Sequence, residues 1–396
     1  MMAPPSCFRL LLRRHVVELV KIIVLREGRL VSAPEMTVGR GVLHIPTEPI
    51  GSIPRSTELI AARLAMQAGR MPADEFARVA ERALRDTIRH FEETGSPVIT
   101  DGEQTKPSFA TYPLEGVCNV APDGVIIPFE DGHTRQLPRL TSGPFHYGTY
   151  ASTYLAAAKR LTSLPVKQAV ISASALSLLY PGSEIPGYPR EAFLSDLVGE
   201  AVADIRGCLE LGADSVQIDF TEGRLSLKLD PSGGLLEDFV ALNNRVLDHF
   251  PPQERRRIGV HTCPGGDLDA THSADVNYAG LLPALFRLRV GRFYVQLASE
   301  KDPERVLEIV RHHLQPDQTI FVGVIDPINP AVETPGQVRD RVLLAARHLP
   351  ARQFGTTDDC GFAPFADDTS TSRHIAFAKI RARVEGTQMA AQEITA

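Results

Sequence analysis

Eight short apolar runs, separated by longer stretches of helical periodicity, constrain this chain more than any other feature of its sequence. The runs are 47–50, 97–100, 168–172, 215–218, 257–260, 293–297, 319–325 and 353–357. Helical patterns fall at 74–94, 150–161, 190–211, 236–250, 303–314 and 335–349, and a last one at 372–383 closes the chain. Parallel strands cannot be joined by a tight turn, so strands alternating with helices imply a parallel sheet with crossover helices. Eight such units predict an α/β fold, specifically a (β/α)8 TIM barrel with long βα-loop insertions. A two-domain dinucleotide-binding fold is disfavoured, because no Gly-x-Gly-x-x-Gly follows an early strand.

The regular pattern opens near Met36, which predicts a single barrel over residues 37–396. Residues 1–36 read as a disordered N-terminal extension, or a peripheral helix, upstream of a second start at Met36. Its apolar stretch, Val16 to Leu25, carries Glu18 and Lys21, which suits neither a membrane span nor a secretory segment. Two insertions exceed ordinary βα loops. Residues 104–148 are rich in Pro, Gly and aromatics, and residues 221–234 alternate like the arm of a hairpin. Both leave strand C-termini and are expected to wall the pocket.

In a (β/α)8 barrel the strand C-termini converge on the active site. Those positions here carry Ser52, Asp101 with Glu103, Ser172, Asp219, His261, Gln296, Asp326, and Asp359 with Cys360. Convergence would bring His261 and Cys263 beside Cys360, although about a hundred residues intervene. A His-x-Cys pair alone reads as buried polar packing. With a second thiol it becomes a Zn²⁺ set, because tetrahedral zinc takes Cys sulfur and His nitrogen, and three protein ligands leave an exchangeable fourth position. Zinc also deprotonates a thiol whose ordinary pKa is about 8.5. Among the remaining candidates, Cys208 lies in a helical run and reads as core, and Cys118 has no assigned role. Gly265 and Gly266 shape a turn, Asp267 and Asp275 read as caps, and His272 joins Asp326 as an acid–base candidate.

Forty-two basic residues against 48 acidic ones give a net charge of −6 with no basic block, so neither nucleic acid nor a membrane surface is an expected partner. Five cysteines without disulfide-like spacing point to a reducing compartment, the cytoplasm. The expected partners are a small-molecule thiol and an alkyl donor.

Over residues 45–385 the chain resembles the cobalamin-independent methionine synthase family, in its C-terminal catalytic barrel and single-barrel relatives. The likeness rests on Ile50-Gly51-Ser52-Ile53-Pro54-Arg55, Asp101-Gly102-Glu103, Val216-Gln217-Ile218-Asp219, Val260-His261-Thr262-Cys263, Gly323-Val324-Ile325-Asp326 and Asp359-Cys360-Gly361. The resemblance implies a zinc-dependent methyltransferase of methionine biosynthesis, with homocysteine's amino acid portion held by Ser52, Glu103 and Asp219. Ser172, at the third strand end, joins this substrate set.

Three positions depart from the family pattern. Gln296 stands where the family has a carboxylate zinc ligand, so the fourth ligand is Gln296, Glu300 or water. Ile328 stands at the proton-donating histidine. No tryptophan exists to stack the folate pterin, and the matching segment reads Ile171-Ser172-Ala173-Ser174. These departures favour a relative that alkylates homocysteine or another thiol with a different electrophile. Two other readings remain. One is a metal-free lyase or decarboxylase resembling uroporphyrinogen decarboxylase, with Arg55 and Arg224 on substrate carboxylates. The other is a non-catalytic paralogue.

Overall fold

The computed structural model describes residues 43–395. The 1–36 extension therefore lies outside the described residues. Six parallel strands pair in the order eighth, seventh, sixth, fifth, fourth, third. They are Gln168–Ile171, Val216–Asp219, Ile258–Thr262, Arg292–Val295, Thr319–Ile325 and Phe354–Asp358, the third to eighth positions of the barrel. The first and second positions are reduced to single parallel bridges, Thr47 to Thr356 and Ile99 to Val166. Proline explains the reduction. Pro49, Pro54 and Pro97 cannot donate to a ladder, so these runs pair only where a free N–H faces the neighbour. The ring closes between them through Thr100 Oγ1 to Gly51 O, at 2.8 Å, and Ile53 N to Gly102 O, at 3.0 Å.

Helices follow the strand positions as the periodicity predicts. Pro335–His348 begins with a capping box between Thr334 and Gln337, and Pro303–His313 is capped by Asp302; both have proline in the first turn, where a missing N–H costs nothing. The helix after the fifth strand, Tyr278–Leu285, has no counterpart in the sequence reading, because Pro283 sits inside it.

One expectation is corrected. Residues 221–234 do not form a hairpin arm; Glu222–Leu229 is an α-helix. A solitary arm would leave its backbone groups unpaired, whereas the helix satisfies them internally. Burying Arg224 against the carbonyls of Ala274 and Val276 fixes it in place. The 104–148 insertion carries two small antiparallel pairs, Val120–Ala121 with Arg139–Leu140 and Ile126–Pro128 with Thr134–Gln136.

The barrel interior is charged at one level. Lys167, Glu48, Asp358 and Arg383 are all buried, with Arg383 Nη1 2.5 Å from Asp358 Oδ2. Among the described residues, no helix is long and apolar enough to cross a membrane.

Candidate metal centre

His261 lies on the fifth strand and Cys263 follows it directly, while Cys360 follows the eighth. One ligand atom from each lies within 4.8 Å of the others, and all three residues are buried. The two sulfurs are 2.8 Å apart, and the Gly265 amide points at Cys263 Sγ from 3.4 Å. A hydrogen bond from the Cys263 thiol, against the cost of burial, pulls the Cys360 thiol down to about 7. Burial and the hydrogen bond to Cys360 push Cys263 well up. The two thiols thus face each other as a hydrogen-bonded pair, with the thiolate form favoured more at Cys360 than at Cys263.

Parallel register places Asp219 of the fourth strand beside His261. Asp219 Oδ1 accepts from His261 Nδ1 at 3.0 Å, so Nε2, 3.4 Å from the Asp359 carbonyl, is the nitrogen left for a metal. Burial works to lower the imidazole, but the hydrogen bond to Asp219 and its charge outweigh this and raise it. Asp359 has a different task. Its carboxylate accepts from the amides of Leu297, Ala298 and Ser299 at 2.9, 2.9 and 2.7 Å, tying the loop after the sixth strand to the residue before Cys360.

His261 and Cys360 open onto a cavity of about 500 Å³ whose wall also includes Ser52, Glu103, Asp219 and His272. Ser52 Oγ accepts from Ala363 N at 3.2 Å, and a Cβ on Gly361 would stand 2.1 Å from that oxygen, so glycine is needed there. Glu103 follows Gly102 with a left-handed φ of 54°, which turns its carboxylate towards Lys106 Nζ at 3.0 Å. Burial raises Glu103, opposed by the Lys106 charge. The insertion supplies Phe109, Ile127, Phe129, Arg135 and Leu137 to the cavity wall, whereas Thr221 is its neighbour's sole contribution among the described residues.

Other candidates sit differently. Ser172 is not on the cavity wall: it caps the helix Ala173–Ser177 and donates to Glu222 Oε1 at 2.5 Å. Asp326 Oδ1 accepts from Ile328 N and Asn329 N, closing a turn away from the cavity. Gln296 has its amide engaged elsewhere, with Nε2 2.8 Å from Glu300 Oε1 and Oε1 3.4 Å from Arg224 Nη1. Glu300 pairs with Arg224 at 3.0 Å and stands outside the metal-competent group. His272 does face the cavity, and burial, with the Lys228 and Arg224 charges, lowers it to about 4, which favours its neutral form. Sequence reasoning gave no role to Gln217, which lines the cavity two residues before Asp219. Period-two spacing on a buried strand was the available signal.

The fold and site together define a (β/α)8 barrel with an imidazole–dithiol centre at the C-terminal ends of its strands. The chain belongs to the cobalamin-independent synthase catalytic-domain family, whose model matches residues 45–383. It is similar to the 5-methyltetrahydropteroyltriglutamate–homocysteine methyltransferase of Nitratidesulfovibrio vulgaris (strain Hildenborough), 23% identical over 346 residues, covering 83% of this chain and 40% of the relative. The protein of that name from Bradyrhizobium diazoefficiens is 24% identical over 328 residues, covering 81% and 39%. The chain thus spans about two fifths of the length of these curated relatives. The structure of a B12-independent methionine synthase from Shewanella sp. W3-18-1, in complex with selenomethionine, superposes with a TM-score of 0.68 at 17% identity, covering 88% of this chain and 98% of that one.

Proposed function

We propose that this protein is a zinc-dependent thiol alkyltransferase, with methyl transfer to the sulfur of homocysteine as its leading form. The observation that carries the reading is the gathering of His261, Cys263 and Cys360 within 4.8 Å, with His261 and Cys360 on a cavity wall. Two sulfurs and an imidazole nitrogen with its other nitrogen already bonded are donors that fit zinc. When bound, zinc would supply a position that holds an incoming sulfur in its deprotonated, nucleophilic form.

The remaining work falls to the chain. Glu103 and Asp219 offer carboxylate oxygens to a substrate ammonium, and Ser52 offers a hydroxyl from the same wall. Lys106 holds Glu103 in place and favours its charged form against burial. The aromatic arms of 104–148 keep water from the reacting sulfur. We assign the barrel to residues 37–396, and a reducing compartment such as the cytoplasm suits the thiols of Cys118, Cys208, Cys263 and Cys360, which are all free.

The metal-free lyase reading loses its arginines. Arg55 is spent on the carbonyls of Ala363, Phe365, Glu103 and Lys106, and Arg224 on Ala274, Val276 and Glu300. The test is direct: purified, zinc-loaded protein is given homocysteine with methyltetrahydrofolate, and in parallel with other alkyl donors. Methionine from the folate arm supports methionine synthesis. Alkylated thiol only from another donor keeps the alkyltransferase and removes folate, and no thiol consumption with any donor contradicts the proposal.

A further inference from the structure

Behind the metal set a line of hydrogen bonds runs through the barrel interior to a buried lysine. His261 Nδ1 meets Asp219 Oδ1 at 3.0 Å, Gln217 Nε2 reaches the same oxygen at 2.8 Å, and Lys167 Nζ reaches Gln217 Oε1 at 2.8 Å. All four residues are buried, Lys167 completely. Adjacent strands supply them: Lys167 directly precedes the third, Gln217 and Asp219 alternate along the fourth, and His261 is the register partner of Asp219 on the fifth. Lys167 is itself cradled, with Glu48 Oε2 at 3.8 Å and the ring of Tyr294 4.1 Å away.

The direction of each bond follows from what each group can do. An ammonium only donates, so the amide atom facing Lys167 must be the Gln217 oxygen. The Gln217 NH₂ then has to face Asp219, whose carboxylate only accepts. With two donors ending on one oxygen, Asp219 is held, and the His261 proton is fixed on Nδ1. Reversing the Gln217 amide would set oxygen against oxygen at Asp219 and nitrogen against nitrogen at Lys167. Asp219 thus decides which imidazole nitrogen is offered to a metal, and Lys167 and Gln217 hold the carboxylate that does so.

We infer that Lys167 and Gln217 are positioning residues that set the metal affinity of the His261–Cys263–Cys360 centre through Asp219. This rests on the metal reading above, and its test separates the two. Zinc dissociation constants are measured on the full chain by competition with a chromogenic chelator, for wild type, Gln217→Met, Lys167→Met and the double variant. Co²⁺ absorption spectra are recorded alongside, and circular dichroism confirms folding. Each single substitution is expected to weaken zinc about 10- to 100-fold, as loss of an outer partner does, and to change the Co²⁺ spectrum. The double variant is expected to be no weaker than the weaker single, because both act through one chain of bonds.

Gln217→Leu removes both polar atoms without setting a second carboxyl against Asp219. It should weaken zinc as Gln217→Met does, and it stands in where a methionine variant fails to fold. Folded variants that bind zinc as tightly as wild type, or single effects that multiply in the double variant, overturn this inference alone. A wild-type chain that takes up no zinc removes the metal reading and this inference with it.

Discussion

The sulfurs of Cys263 and Cys360 stand 2.8 Å apart although 97 residues separate them in sequence. Two buried thiols form a hydrogen-bonded pair there, beside an imidazole raised by Asp219. Replacing either cysteine by serine removes a soft ligand, so Cys263→Ser and Cys360→Ser should each weaken zinc by more than the about 100-fold upper range of an outer-partner loss. Metal analysis after dialysis against a chelator checks this, and full zinc retention by either variant would count against a dithiol centre.

Gly361 leaves the space that the hydroxyl of Ser52 occupies. In Gly361→Ala the new Cβ would stand 2.1 Å from Ser52 Oγ, so the serine must rotate away and lose its bond to Ala363 N. If Ser52 orients the thiol substrate, KM for that thiol should rise about tenfold, the effect of losing roughly one hydrogen bond. Unfolding free energy should fall by about 1–3 kcal/mol from overpacking. A normal KM in the folded variant would remove Ser52 from the substrate site.

Arg224 and Glu300 form a buried pair with side chains 3% and 13% exposed. Arg224→Leu leaves the carboxylate unpaired and should cost about 3–5 kcal/mol in urea unfolding, the usual price of breaking such a pair. Were Arg224 instead a binder of substrate carboxylates, the variant would keep its stability and lose binding.

His272 supplies a pH signature. Its folded value of about 4 lies below the ordinary 6.5, so between those values the unfolded chain binds the extra proton and stability rises with pH. The contribution is present above 6.5 and lost as pH falls towards 4. A shift of this size corresponds to about 3 kcal/mol. Urea unfolding at pH 7 and pH 4 should therefore show wild type losing about that much more than His272→Gln; equal losses would place the imidazole in solvent.

Much of this architecture is legible in the sequence for a definite reason. Strand and helix periods survive in single segments, so six of the apolar runs became strands and the long helical patterns became helices. Failures occur where a segment's partner decides its state. Leu225, Leu227 and Leu229 alternate as a strand would, yet no neighbouring strand is there to pair with them, and Glu222–Leu229 coils into a helix. Thr47 and Ile99 pair only as single bridges because prolines flank them. At the site, the His-x-Cys pair and the distant Cys360 announce themselves by residue type. The bond from Lys167 to Gln217 does not, since it spans 50 residues and depends on how two strands align. Gln296 is legible by position alone, since its bond to Arg224 comes from a helix the sequence conceals and its bond to Glu300 from the loop after its own strand.

The central claim is that His261, Cys263 and Cys360 hold zinc with a place left for a substrate sulfur. X-ray absorption at the zinc edge, on the protein alone and with homocysteine added, tests it most directly. The account predicts two sulfur scatterers with nitrogen or oxygen neighbours in the free protein, and a third sulfur on adding the thiol. A zinc shell unchanged by any candidate thiol, or purified protein that holds no zinc, would contradict it.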